Sequence, residues 1–514
     1  MSPAATPTTD ATTSPAITSP AVVENVDVLV VGAGISGIGA AYHLQQQCPG
    51  KSYVVLESQA GFGGTWRTHR YPGIRSDSDL FTFGYRFKPW VGAPIASAAE
   101  ILAYLGEVID ENHLAPHIRY RHAIQSAAWS STAQRWNILA TRPAASGSGL
   151  EAVCISAKFL WMCQGYYRHA EGYTPDWPGM ADFKGQIVHP QTWPEHISLA
   201  GKRVVVIGSG ATAATLIPAI ADTCAHVTML QRSPTYFITG RNANDLADTL
   251  RQLDIPPEWT HEIVRRKVLF DQAAFTRRCA AEPEAAKHDL LAGVRAALGP
   301  GFEDVVDQHF TPRYRPWRQR IAYVPNADLF QRIRSGKASV VTDEIEAFTE
   351  TGLQLKSGAT LDADIIVTAT GFNLSVLGDV AFTIDGQPLD FAGTVAWRGA
   401  MFTGVPNLAW VFGYLRASWT LRADLVSDFV CRLLNQMDQT GSTVVVPTLR
   451  PQDQGMARLP WVDPENFNPG YMARGVALLP QQGDQPPWLH SQDYWTEKDE
   501  LPAASLDDGT LLYR

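Results

Sequence analysis

The sequence predicts an α/β protein in which one strand-turn-helix-strand unit occurs twice and a helical stretch interrupts the second copy. Two β-branched runs each lead straight into a Gly-rich turn, VDVLVV into GAGISG from Val26 and RVVVI into GSGATA from Arg203. Such runs suit strands buried on both faces of a parallel sheet, and a turn of this kind opens a helix. The third observation is a change of period: from Thr239 to Pro300 the pattern becomes helical and amphipathic.

Size and charge bound the reading. With 514 residues, 45% of them apolar and 18% charged, the chain suits two or three globular domains. Its 42 basic against 51 acidic residues give a net charge of -9, and no Lys/Arg cluster creates a local basic field, so no nucleic acid partner is expected. Six cysteines show no Cys-x-x-Cys spacing, which points to free thiols, no metal site and a cytoplasmic location. Residues 1–23, rich in Ala, Thr, Ser and Pro, read as a disordered tail without targeting features. No stretch approaches the 18 apolar residues of a membrane span, and no obligate protein partner is evident.

In the first unit the strand Val26 to Val31 meets Gly32, Gly34 and Gly37, a helix runs from Ser36 to Gln47, and a second strand from Tyr53 to Leu56 ends in Glu57. Gly32 permits the tight turn, Gly34 the close approach of a pyrophosphate, and Gly37 the packing of helix on strand. The pyrophosphate would rest on the helix N-terminus. Glu57, 20 residues after Gly37, suits ribose hydroxyls and repels a 2′-phosphate, so this site is expected to take the adenosine of FAD.

Downstream lies GGTWRTHRYPGIRSD, from Gly63 to Asp77, and farther on FKGQIVHPQTWP, from Phe183 to Pro194. The second segment fits Phe-x-Gly-x-x-x-His-x-x-x-Trp-Pro at Phe183, Gly185, His189, Trp193 and Pro194. This pattern resembles the signature of Baeyer-Villiger monooxygenases; related flavin-containing monooxygenases usually carry another aromatic at the Trp position and lack the Pro. The first segment resembles that family's Gly-Gly-x-Trp turn, which touches the flavin and closes on an acid, here Asp77. His69 has no expected role.

The second unit repeats the first with the opposite charge at its end. A strand from Arg203 to Ile207, the turn Gly208 to Ala213, a helix to about Asp222 and a strand from Val227 to Leu230 lead to Arg232 and Ser233, with no acid at that point. A guanidinium binds a 2′-phosphate bidentately, so NADPH is expected here. Helices are expected around Asp245 to Leu253, Glu258 to Arg278 and Glu282 to Leu298, followed by a buried strand within Ala363 to Phe372 that ends in an Ala-Thr-Gly signature at Gly371. The fold class is therefore two Rossmann-like dinucleotide-binding domains, for FAD and NADP, with a helical insertion in the NADP domain. Expected boundaries are 24–165 and 375–514 for the FAD domain, 166–238 and 320–374 for the NADP domain with its linker, and 239–319 for the insertion.

Over about residues 25 to 440 the chain resembles the ethionamide-activating branch of the Baeyer-Villiger family, in stretches such as RYPGIRSDSD, MLQRSPTY and GYLRASWTLRADLVSDFVCRLLN. The resemblance implies an NADPH- and O2-dependent enzyme that converts ketones to esters or lactones through a C4a-peroxyflavin and also oxidises sulfides or thioamides. It puts Ser36, Glu57, Gly64, Thr65, Trp66, Asp77 and Ile124 at flavin positions. Arg75, Ser76 and Asp77, the turn Gly208, Ser209, Gly210, Ala211, Thr212 and Ala213, and Arg232 with Ser233 fall at NADP positions. Arg320 falls at the catalytic arginine, held by Asp77, and His189 at a linker position whose role is structural and dynamic. Gln319 departs from the cation found in relatives that act on cyclic ketones. Heteroatom oxygenation is the alternative outcome at such a site. A non-oxygenating NADPH-flavin oxidoreductase would share both nucleotide folds, but the missing Cys-x-x-Cys argues against a disulfide reductase.

Overall fold

The computed structural model describes residues 23–514, so the expected tail lies outside the described residues except for Val23. Strand β1 (Glu24–Val31) is followed by helix α1 (Ile35–Gln47) and by β2 (Tyr53–Leu56), which lies parallel to β1 with Val28 opposite Tyr53. Alternation along β1 serves two cores at once. Val28 and Val30 enter the cluster with Ile38 and Leu44 of α1, whereas Leu29 and Val31 enter the one on the other face. Full burial of each such side chain contributes roughly 1.5–3 kcal/mol, which is why a β-branched run rather than an alternating one specifies this strand.

The first sheet continues through β3 (Ile118–Arg119), β4 (Ala123–Ser130), β5 (Arg135–Pro143) and β6 (Leu150–Met162). Strands β4, β5 and β6 pair antiparallel, an addition absent from the sequence expectation. The 13-residue β6 is long enough to pair with β5 through its first part and, parallel, with β1 through its last. Two later segments return to this sheet, Ala381–Ile384 beside β4 and Leu408–Trp410 beside β6.

The second sheet consists of β7 (Gln186–Val188), β8 (Arg203–Ile207), β9 (His226–Gln231), β10 (Ala338–Thr342) and β11 (Ile365–Thr368), in the spatial order β10-β9-β8-β11-β7 and parallel throughout. Helix α2 (Ala211–Ile220) crosses between β8 and β9. Both sheets are thus wound around a Gly-rich turn, and the chain leaves the first sheet, builds the second, and comes back.

Between β9 and β10 the insertion forms α3 (Asp245–Gln252), α4 (Pro257–Ala281), α5 (Pro283–Leu298) and α6 (Glu303–His309). The first three match the expected helices within a few residues. The fourth was missed because Gly299 and Gly301, both with positive φ, read as a final stop. Helix α4 reaches the segment that follows the first Gly-rich unit: buried Arg265 donates to the carbonyls of Phe81 (2.9 Å) and Gly84 (3.0 Å). The region beyond about Val446, where the sequence offers no motif, is also built in. Arg422 of α7 (Trp419–Thr440) meets Glu497 at 2.9 Å with both side chains buried, and Val445–Pro447 pairs with Leu511–Tyr513. Among the described residues no helix is long and apolar enough to cross a membrane.

Candidate active site

A cavity of about 610 Å³ runs from the first Gly-rich turn, past Gly64, Thr65 and Trp66, to Ala211, Thr212 and Arg320. At its start the backbone demands glycine. Gly32 has φ +97°, and a Cβ on Gly37 would stand 1.8 Å from the Gly32 carbonyl oxygen. Gly34 caps α1 in extended conformation, with Gly64 the nearest neighbour of any added Cβ at 3.7 Å. Glu57 is buried at the end of β2 and accepts the Ala33 N–H (2.8 Å) and the Gln59 N–H (2.8 Å). Its carboxylate therefore orders the turn while lining the cavity. Ser36 accepts from Trp419 Nε1 (2.8 Å), Thr65 shares a hydrogen bond with Tyr167 (2.7 Å), and Ile124 lines the wall. This turn on a helix N-terminus, with an acid at the adenosine end, fits FAD.

The second turn has the same logic. Gly208 has φ +121° and would place a Cβ 2.4 Å from the Ala369 carbonyl oxygen, whereas a Cβ on Gly210, the cap of α2, would meet nothing within 4 Å. That open space before a helix N-terminus fits a pyrophosphate. Ser209 bonds Thr235 (2.8 Å), and Ala213 is fully buried where the first turn has its third glycine. Arg232 and Ser233 are exposed at the end of β9, as a 2′-phosphate site requires. The fold brings an acid to this place: Asp343 is tied to the Gln231 carbonyl (3.0 Å), Glu344 next to it lies in the field of Arg232, and Lys356 pairs with Glu344 at 2.6 Å. These acids follow β10, the strand paired directly with β9.

Arg320 reaches the cavity from the loop after the insertion and meets Asp77 at 3.1 Å. The Asp77 carboxylate raises the guanidinium pKa above its ordinary value, so the charge is permanent. Arg75 likewise has a carboxylate partner: Asp328 accepts from its two terminal nitrogens at 2.5 and 3.1 Å. Ser76 is buried in a two-way pairing with the Ala96 backbone and acts as framework. His69 lines the cavity, and burial depresses its pKa to about 4, so it is neutral there. Tyr166 and Tyr471 stand beside Arg320, the latter contributed by the C-terminal region.

The signature segment does not line the cavity. Its fixed residues have packing roles: Phe183 is buried against Val205 and Phe348, a Cβ on Gly185 would meet the Asp364 carbonyl oxygen at 2.4 Å, and Trp193 packs on the core of the second sheet. His189 donates from Nε2 to the Gly371 carbonyl (3.2 Å) and accepts the Gln191 N–H at Nδ1 (3.1 Å). Burial outweighs the backbone hydrogen bonds to Gly371 and Tyr173 and lowers its pKa. Both ring nitrogens are thus engaged by the backbone. Gly371, with φ +105°, also accepts the Tyr173 N–H (3.0 Å).

Two Gly-rich turns, each between parallel strands of its own sheet and feeding one cavity with a fixed cation, define a flavoprotein oxidoreductase that also binds a nicotinamide dinucleotide. Residues 30–90 match the NAD(P)-binding Rossmann-like domain and residues 94–246 the flavin-binding monooxygenase-like family. The chain is 46% identical over 492 residues to the FAD-containing monooxygenase EthA of Mycolicibacterium smegmatis, covering 95% of this chain and 97% of the relative. It is 42% identical to the probable FAD-binding monooxygenase AlmA of Acinetobacter sp, covering 95% and 96%. The structure of an oxidized steroid monooxygenase bound to NADP superposes with a TM-score of 0.67 at 25% identity, covering 84% of this chain and 88% of that one. The chain belongs to this family: it is an FAD-containing, NADPH-dependent monooxygenase of the Baeyer-Villiger type.

Proposed function

We propose that the chain converts ketones to esters or lactones at the Arg320 end of the cavity and oxygenates sulfur in thioethers or thioamides at the same place. The observation that carries this reading is the Arg320–Asp77 pair at 3.1 Å, with its guanidinium open to the cavity. When bound, reduced FAD supplies an oxygen atom of O2 for insertion. The chain's part is electrostatic and steric. Arg320 holds a permanent cation where negative charge grows on the substrate carbonyl oxygen, and a guanidinium does not give up its proton at neutral pH. Asp77 orients that guanidinium. Tyr166, Phe372 and Trp419 line the wall and exclude water. Their rings also favour divalent sulfur, which supports the second substrate class.

The first Gly-rich turn with Ser36, Glu57, Thr65 and Trp66 would hold FAD; the Gly208–Ala213 turn, Arg232 and Ser233 would hold NADPH. Segments 24–165 and 375–514 then form the FAD domain and segments 166–238 and 320–374 the NADP domain, with 239–319 inserted, a division that follows which segments enter each sheet. Six free cysteines, four of them carrying thiols whose pKa is raised, suit the cytosol. Matched ketones and sulfides are incubated with holoenzyme, NADPH and air, and products are separated by mass. Esters and sulfoxides are expected; NADPH consumed with neither product formed overturns the reading.

A further inference from the structure

Arg320 carries five N–H donors, of which a single carboxylate takes at most two. Asp77 is the one carboxylate within 4 Å of it among the described residues. Its other polar neighbours are two phenols, Tyr166 and Tyr471, whose rings lie 5.8 Å apart. Tyr166 lines the cavity, but the Tyr471 hydroxyl is buried with no partner at full hydrogen-bond geometry. An unpaired buried hydroxyl is costly; Tyr166 can take its proton, and the Arg320 guanidinium has N–H groups to spare for its oxygen.

The segment bearing Tyr471 is fastened at three places. The Asn468 N–H donates to the Arg318 carbonyl (3.0 Å), two residues before Arg320. Asn466 Oδ1 accepts from Arg315 (2.6 Å) and from Arg416 (3.0 Å), which joins the arginine loop to the FAD half. Arg474 lies 3.4 Å over the Tyr173 ring and donates to the Phe372 carbonyl (3.1 Å), and a Cβ on Gly475 would stand 2.6 Å from Leu374 Cδ2. Fastened before and after, the segment holds the Tyr471 hydroxyl at the guanidinium.

We infer that Tyr471 is a positioning residue for Arg320: its hydroxyl oxygen accepts from the guanidinium, so that Tyr471 and Asp77 together aim the cation into the cavity. This rests on the reading of Arg320 as the site cation. In FAD-loaded Tyr471→Phe, FAD retention and melting temperature are expected to stay at wild-type values. The fraction of NADPH oxidation that ends in oxygenated product should fall about ten- to a hundredfold, in line with loss of one hydrogen bond to a charged group. The flavin midpoint potential should fall as well, because a cation no longer held toward the flavin stabilises its reduced anion less. In an Arg320→Lys background the same substitution should add nothing, since a purely structural defect would persist there. Asn466→Ala, which unties the segment and leaves Tyr471 intact, should lower coupling in the same direction. Wild-type coupling and potential in Tyr471→Phe, or a full additional loss in the Arg320→Lys background, overturn the inference. Arg320→Ala separates the two claims: normal product formation there removes Arg320 itself, whereas loss there with unaffected Tyr471→Phe removes only the role of Tyr471.

Discussion

Gly172 and His189 are fitted to each other: a Cβ at position 172 would lie 1.9 Å from His189 Cε1, so the imidazole occupies the space that a side chain at 172 would take. The ring in turn ties the Gln191 N–H to the Gly371 carbonyl, joining the linker to the end of β11.

Gly172→Ala is therefore expected to reproduce the lesion of His189→Ala. Both should retain FAD while the overall cycle slows or releases hydrogen peroxide, because a hinge that positions NADPH has been loosened. Turnover, peroxide release and bound FAD are the measurements. A pH-rate limb near neutrality that vanishes in His189→Ala would instead assign proton transfer to His189.

Coenzyme choice should depend on Arg232 against the background of Glu344. Loss of a charge-assisted pair is worth roughly 1.5–3 kcal/mol, so Arg232→Ala should raise KM for NADPH about ten- to a hundredfold and leave KM for NADH nearly unchanged. Glu344→Gln should shift the preference the other way, toward tighter NADPH, because the acid lies in the field of Arg232. Equal effects on both coenzymes exclude Arg232 from the phosphate site.

Arg320→Ala should bind FAD and consume NADPH more slowly, yet form no ester or sulfoxide, with oxygen ending as hydrogen peroxide. Removing a preorganised charge from a developing oxyanion costs about two to three powers of ten. Asp77→Ala should show a milder loss, since it orients the guanidinium rather than carrying the charge. Normal product yield from Arg320→Ala would falsify the assignment.

Stability should fall at alkaline pH through His43. Burial opposes its charging, but Asp424 and Asp428 outweigh burial and raise its pKa from 6.5 to about 9. The facing groups are those two acids, Gln47, and Arg265 at 3.8 Å from Asp424. A raised pKa means that the folded state binds the proton more tightly, so the contribution is complete below about pH 6.5 and is lost as pH climbs through 9. It amounts to at most about 3 kcal/mol. The difference in unfolding free energy between wild type and His43→Gln should shrink over that interval; a constant difference would exclude His43 as its source.

Sequence alone determined what local pattern can determine. The β-branched runs, the glycines at 32, 37 and 208 and the apolar periodicity of the insertion specify the repeated unit, because each acts through its own backbone and near neighbours. The opposed charges Glu57 and Arg232 were legible for the same reason. Tertiary structure decided everything that depends on distant segments meeting. It brought Glu344 to Arg232, gave Arg75 to Asp328, and put Asp77 and Arg320, far apart in the chain, 3.1 Å from each other. It also showed why the signature segment carries its residues: Gly185 and His189 are dictated by the carbonyls of Asp364 and Gly371, which no spacing within that segment reveals. Tyr471 makes the point most simply, for nothing near it in sequence distinguishes it, and only the folding of the C-terminal region onto the arginine loop sets its hydroxyl beside the cation.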